Sequence, residues 1–478
     1  MLFNSWQFAI FLPIVFSLYW LLPKKYQWIV LFVSSYYFYM CWKPEYIILI
    51  LLTTAVSYVG TILIEKKPTK KRLFLTLSLT VSLSVLFFFK YFNFFASSIV
   101  NGVNWIFKTE GDPILINVIL PVGISFYTFQ TLSYVIDVYR GKVKAERHFG
   151  KYATFISFFP QLVAGPIERT SNLLNQIKEE HSFDYAKASY GMRLMLWGFF
   201  KKMVVADNLA VFVDKIYESP TNFSGFSLIL ATLFFAIQIY CDFSGYSDIA
   251  IGVSKLFGVD LMTNFDTPYF STSIKGFWSK WHISLSTWFK DYVYIPLGGN
   301  RVSKLRHKIN LIITFLVSGL WHGASWTFVV WGGIHGVSQA IESCLPKKEE
   351  KRKKAFVQVI KGIGVFVFVT IAWVFFRAQS LSDAWHVLTN GFVGIGSPIS
   401  YLRKGFTNMG MGVERLIICS LSVLILFIYE VLSQKRDVIG WLGTKKKIVS
   451  WSACILLSLI ILAWTPVASG SEFIYFQF

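Results

Sequence analysis

The chain has 478 residues, 54% of them hydrophobic and 18% aromatic, with a mean hydropathy of +0.53; this excludes one or two ordinary soluble domains and points to a polytopic membrane protein. Its 46 Lys and Arg exceed its 26 Asp and Glu by a net +20. Those charges sit in short clusters between apolar runs, the pattern of cytoplasmic loops, so no nucleic acid partner is expected.

From the N-terminus, Leu2 to Leu22 has neither a basic n-region nor a small-residue cleavage site and reads as a retained first span. Further runs of spanning or near-spanning length follow at Trp28 to Trp42, Tyr46 to Ile64, Leu73 to Phe89, Leu115 to Val138, Tyr152 to Val163 and Met192 to Val205. Beyond them lie Leu228 to Ile251, Ile309 to Ile341, Phe356 to Phe376, Leu416 to Leu432 and Ile448 to Trp464. The run from Ile309 to Ile341 breaks at Trp321 to Ser325 and reads as two helices joined at His322. The expectation is an all-α protein of roughly 10 to 13 membrane helices, some too short to cross fully, with re-entrant and interfacial pieces around a central cavity. One membrane domain over 1–478 is the simplest division, with no repeat of fixed period.

The basic clusters Lys24-Lys25, Lys66 to Arg72, Arg140 to Lys151, Arg301 to Lys308, Lys347 to Lys354 and Lys435 to Lys447 are expected in the cytoplasm. Glu110, Asp112 and the C-terminal Phe473 to Phe478 then face outside. Five cysteines, Cys41, Cys241, Cys344, Cys419 and Cys454, occur singly with no CxxC pair, which predicts neither disulfides nor a metal site.

Candidate chemistry gathers in 270–345. His322, within Gly319-Leu320-Trp321-His322-Gly323-Ala324-Ser325-Trp326, is a titratable group in a run apolar enough for the membrane and a functional candidate for that reason, though a core histidine with one hydrogen bond reads the same. Ile274 to Lys290 places Ile274, Phe277, Trp278, Trp281, Leu285, Trp288 and Phe289 on one helical face, with Lys275, Ser279, Ser286 and Lys290 opposite and His282 at the margin. It is expected to be one amphipathic helix. The segment Asp291 to Arg301 leaves it through Pro296 and Gly298-Gly299; Asn300 and Arg301 there are either oxygen-binding groups or part of a plain turn. His335, among small residues, suits helix packing. Glu168, Asp242 and Asp248 either line a polar path or neutralise basic residues in the core. The signatures of a serine-hydrolase elbow, a nucleotide-binding loop and a zinc protease are absent from the sequence.

The stretches Pro121 to Gln130, Gln161 to Glu168, Phe277 to Trp288 with its exit Ile295 to Arg301, and Leu320 to Gly323 resemble the membrane-bound O-acyltransferase superfamily, in its alginate O-acetyltransferase branch, over essentially the full length. The resemblance implies that His322 matches the family's nearly invariant histidine and His282 its second polar position, Asn or His by branch. It implies a donor and acceptor cavity bordered by Trp278, Lys280, Trp281, Asn300, Arg301, Trp321 and Trp326. Where relatives commonly carry two arginines, this chain has Ser279-Lys280, and lysine cannot grip a phosphate in bidentate fashion. The implied reaction moves an acyl group, acetyl above all, from a cytoplasmic thioester such as acetyl-CoA, a substrate and not a bound cofactor, towards a surface polysaccharide. A secreted or membrane-anchored SGNH-type partner delivers it, and the setting is the bacterial cytoplasmic membrane. Burial among Trp321, Trp326 and Trp331 is expected to leave His322 able to take the hydroxyl proton, with His282 orienting the acyl carbonyl or stabilising its developing charge. Covalent acyl carriage on His322 stays open. The rivals are the related D-alanyl transfer protein of teichoic acid and, from another class, a transporter or flippase.

Overall fold

The computed structural model describes residues 1–163, 165–345, 355–466 and 473–474. The described residues are helical, with no strand among them. Among the described residues, six helical stretches are long and apolar enough to cross a membrane: Pro44–Lys66, Pro68–Phe107, Phe226–Leu256, Ala355–Arg377, Val413–Ser433 and Lys447–Trp464. The remaining helices are shorter or less apolar, so the all-α membrane architecture stands, with many pieces that do not span by themselves.

The residues form two compact units, 1–192 with 250–262 and 193–249 with 263–478. The first begins with α1 (Trp6–Leu21), α2 (Gln27–Met40), α3 (Ile47–Lys66), α4 (Lys71–Leu86) and α5 (Phe92–Phe107), the last two joined through a π turn. It continues through α6 (Ile124–Tyr139), α7 (Phe149–Ser157), α8 (Phe159–Leu162) and α9 (Thr170–Lys178). The run expected from Leu115 to Val138 becomes helix only at Ile124, because Pro121 offers no N–H and Gly123 turns the chain at φ +74°. The segment before it is tied instead to α5, where Asn93 pairs with both backbone groups of Ile116 at 2.9 Å. Glu168 is fully buried and accepts from the Asn172 amide at 2.7 Å and from the Met262 N–H, so it is a structural tie.

After α10 (Tyr185–Phe199), a second π turn, Phe200–Ala206, leads into α11 (Asp207–Tyr217), and the long α12 (Phe226–Leu256) follows. The second unit then holds α13 (Ile274–Trp278), α14 (Ile283–Phe289), α15 (Lys304–His322), α16 (Trp326–Glu342) and α17 (Ala355–Arg377). Beyond these come α18 (Leu381–Asn390), α19 (Pro398–Met409), α20 (Val413–Ser433), α21 (Val438–Gly443) and α22 (Lys447–Trp464). Asp242 and Asp248 neutralise buried lysines of the π turn: Lys202 binds Asp242 and Asp207, and Lys201 binds Asp248 at 2.7 Å. The α15–α16 hairpin is tight because a Cβ at Gly319 would meet the carbonyl of Phe328, and one at Gly332 the carbonyl of Phe315. The basic cluster Lys347 to Lys354 and residues 475–478 lie outside the described residues.

Candidate active site

His322 is the last residue of α15, where Trp321 to Ser325 was expected to break the run; α16 restarts behind Ser325, whose hydroxyl caps the N–H of Thr327. Its Nδ1 lies 2.7 Å from the carbonyl oxygen of Ser318, one turn earlier. A carbonyl can only accept, so Nδ1 carries the proton and the lone pair of the neutral ring is on Nε2. The ring packs edge-on against Trp331 at 5.0 Å and Phe376 at 5.7 Å, and only 8% of the residue is exposed.

The expected continuous helix from Ile274 to Lys290 is instead two short helices, α13 and α14, with His282 at the break. His282 has φ +44° and ψ +55°, a left-handed conformation that no helix interior accommodates. Long-range bonds impose it: Ile283 N–H donates to the Asn264 carbonyl at 2.9 Å, and Asp266 N–H to the Lys280 carbonyl at 3.0 Å. The apolar stripe is nonetheless the buried one, with Phe277, Trp278, Trp281, Leu285, Trp288 and Phe289 all inside.

His322 and His335 both pack against Trp331, at 5.0 and 5.1 Å, and Trp331 is linked through Trp373 to Trp281, the chain neighbour of His282. Aromatic rings fill the space around them. Trp331 stacks on Trp373 at 5.8 Å, Trp373 meets Trp281 at 5.0 Å, and Phe243 of α12 stands edge-on to His282 at 4.5 Å. Trp278 belongs to the same cluster, 5.7 Å from Trp331.

Other expected members stand apart. Trp326 is 55% exposed, so burial of His322 comes from Trp331 and Phe376, the latter unforeseen because it arrives from α17. Trp321 reaches Trp288 of α14 at 6.3 Å. Lys280 sits 3.9 Å from Asp266, and Asn300 and Arg301 are exposed. The turn they belong to is held by an unforeseen residue: Asn310, fully buried, donates to the carbonyls of Leu297 and Gly299 at 3.1 and 3.2 Å. Asn264 was likewise missed, since it lies in a loop with no motif of its own.

The sequence profile of the membrane-bound O-acyltransferase family matches residues 146–382, which include both histidines. A protein named probable alginate O-acetylase AlgI, from Azotobacter vinelandii, is 40% identical over 398 residues, covering 81% of this chain and 77% of its own. The peptidoglycan O-acetyltransferase of Helicobacter pylori is 34% identical over 532 residues, covering 100% of this chain and 98% of its own. The teichoic acid D-alanyltransferase of Streptococcus thermophilus is more distant, 29% identical over 289 residues and 55% of this chain. On these matches, the chain belongs to the membrane-bound O-acyltransferase family.

Proposed function

We propose that this multi-pass membrane O-acyltransferase moves an acetyl group from acetyl-CoA, or an equivalent cytoplasmic thioester, towards a surface polysaccharide. The setting is the bacterial cytoplasmic membrane, and a secreted or membrane-anchored SGNH-type protein completes delivery to the sugar. The whole chain works as one membrane domain, with 270–345 carrying the chemistry.

The observation that carries this reading is the hydrogen bond from His322 Nδ1 to the Ser318 carbonyl at 2.7 Å, because it makes Nε2 the basic atom of a buried imidazole. Attack by an alcohol on a thioester needs a base for the hydroxyl proton, and a neutral histidine with a fixed tautomer meets that need. His282 is the second polar group of the reaction centre, and the aromatic rings around both exclude competing water. O-acetyl transfer is favoured over D-alanyl transfer because the relatives named for acetyl transfer are 34 to 40% identical over most of the chain, against 29% over about half of it.

The test is chemical. Surface polymers of a deletion strain should lose ester-linked acetate and regain it with the intact gene, and the purified protein with its partner should release thiol from acetyl-CoA. Unchanged O-acetyl content, or loss of ester-linked alanine instead, would sink the reading.

A further inference from the structure

His282 is wired by a residue outside every motif. Asn264 is buried, and its Oδ1 lies 3.3 Å from His282 Nδ1, 2.6 Å from the Ser284 hydroxyl and 3.4 Å from the Ser284 backbone N–H. A peptide N–H can only donate, so the atom at this junction is the amide oxygen; the amide nitrogen faces the other way and donates to Ser247 of α12 at 3.1 Å. An imidazole nitrogen facing an amide oxygen carries the proton. His282 is therefore an Nδ1–H imidazole, with its lone pair on Nε2.

That is the tautomer of His322 as well, whose Nδ1 proton goes to Ser318. A neutral His282 of this kind has no N–H left to offer from Nε2, so it cannot serve as a standing donor to the acyl oxygen. We infer that Asn264 is the positioning residue of His282, and that it makes His282 an Nε2 base in place of a fixed hydrogen-bond donor.

The inference rests on the acyl-transfer reading, and the step balances. The acceptor hydroxyl gives its proton to an imidazole Nε2 as its oxygen bonds to the thioester carbonyl carbon. The resulting imidazolium then gives that proton to sulfur as the carbon–sulfur bond breaks, so ester and thiol leave with no net proton change. Phe243 of α12 packs edge-on to the ring, and Asn264 is itself held by Ser247 of α12 and Ser284 of α14. Asp242 of α12 is turned to Lys202.

Two measurements on the full chain decide it. Histidine ¹⁵N spectra of the protein in bilayers, assigned by loss of signal in His282→Gln, should show His282 with a protonated Nδ1 and a bare Nε2 at pH 8. A proton on Nε2 there overturns the inference, whatever the substrate proves to be. In the second, thiol release from acetyl-CoA is followed against pH in Asn264→Asp and Asn264→Leu. A carboxylate accepting from Nδ1 should move the acidic limb of the rate profile up by about 1 to 3 pH units. Asn264→Leu should lower kcat on the order of 10- to 100-fold, as loss of an orienting partner does for ligating histidines. An Asn264→Asp profile that falls in height without moving overturns the positioning role. Wild-type protein that releases no thiol faults the donor assignment instead, and the spectra still decide the tautomer.

Discussion

The indole N–H of Trp278 donates to His335 Nδ1 at 3.2 Å, so His335 holds its ring proton on Nε2, opposite to His322 on the neighbouring helix. One histidine of the hairpin accepts at Nδ1 and the other donates there. His335 is fully buried among Phe315, Trp331 and Phe368. Its bond fixes Trp278, four residues before His282.

His322→Ala should therefore abolish transfer, with a loss of about 10²- to 10⁴-fold for a missing general base and little change in expression. Surface O-acetylation in cells carrying the variant checks this. Normal acetylation at normal expression would make His322 a structural residue.

His335→Ala should act through stability. It leaves the Trp278 N–H without its acceptor, at a cost of about 1 to 3 kcal/mol, and opens a cavity among the aromatic rings. A lower unfolding temperature in detergent with substantial residual turnover is the expected outcome; intact stability with no turnover would move His335 into the chemistry.

Lys202 offers the sharpest stability test, because its side chain is 5% exposed and its ammonium group sits between Asp207 and Asp242. Lys202→Met strands two buried carboxylates and should cost about 3 to 5 kcal/mol. Folded yield in membranes measures it. Removing both acids together with the lysine, as Lys202→Met with Asp207→Asn and Asp242→Asn, should recover part of that loss.

Asp260 follows α12, outside the spans, and sets a pH dependence. Burial works against its charge, but hydrogen bonds from Lys187 and Lys255 outweigh it and hold the carboxyl below its ordinary value. A depressed folded value means stability that is present above the unfolded carboxylate pKa of about 3.9 and is lost as pH falls through the folded value. Asp260→Asn should melt earlier than wild type at pH 7, and the gap should close in acid. A gap independent of pH would remove the ion pair from the account.

Orientation is open to labelling in intact cells after the native cysteines are replaced. A cysteine at Glu110 should react with an impermeant reagent and one at Lys70 should not, because basic loops stay in the cytoplasm. The reverse pattern would invert the topology.

Much of this was legible in the letters. The break at His322 showed in the run Trp321 to Ser325, and the burial of Trp278 and Trp281 followed from helical spacing. The break at His282 did not show. No glycine or proline marks it, and the bonds that force it come from Asn264 and Asp266, distant residues whose role no local pattern encodes. Phe376 and Phe243 were hidden for the same reason: they reach the histidines from α17 and α12, and contact across helices leaves no trace in spacing. Pro121 and Gly123 did announce the start of α6, but hydropathy alone ran straight through them.

The left-handed backbone at His282 limits which side chains that position admits. Among residues other than glycine, asparagine, aspartate and histidine are the ones that enter this conformation most readily, while β-branched and bulky residues resist it. The φ of +44° thus favours histidine at this position for a reason that precedes any chemistry. The main chain acts as a sieve on the side chains that can stand there.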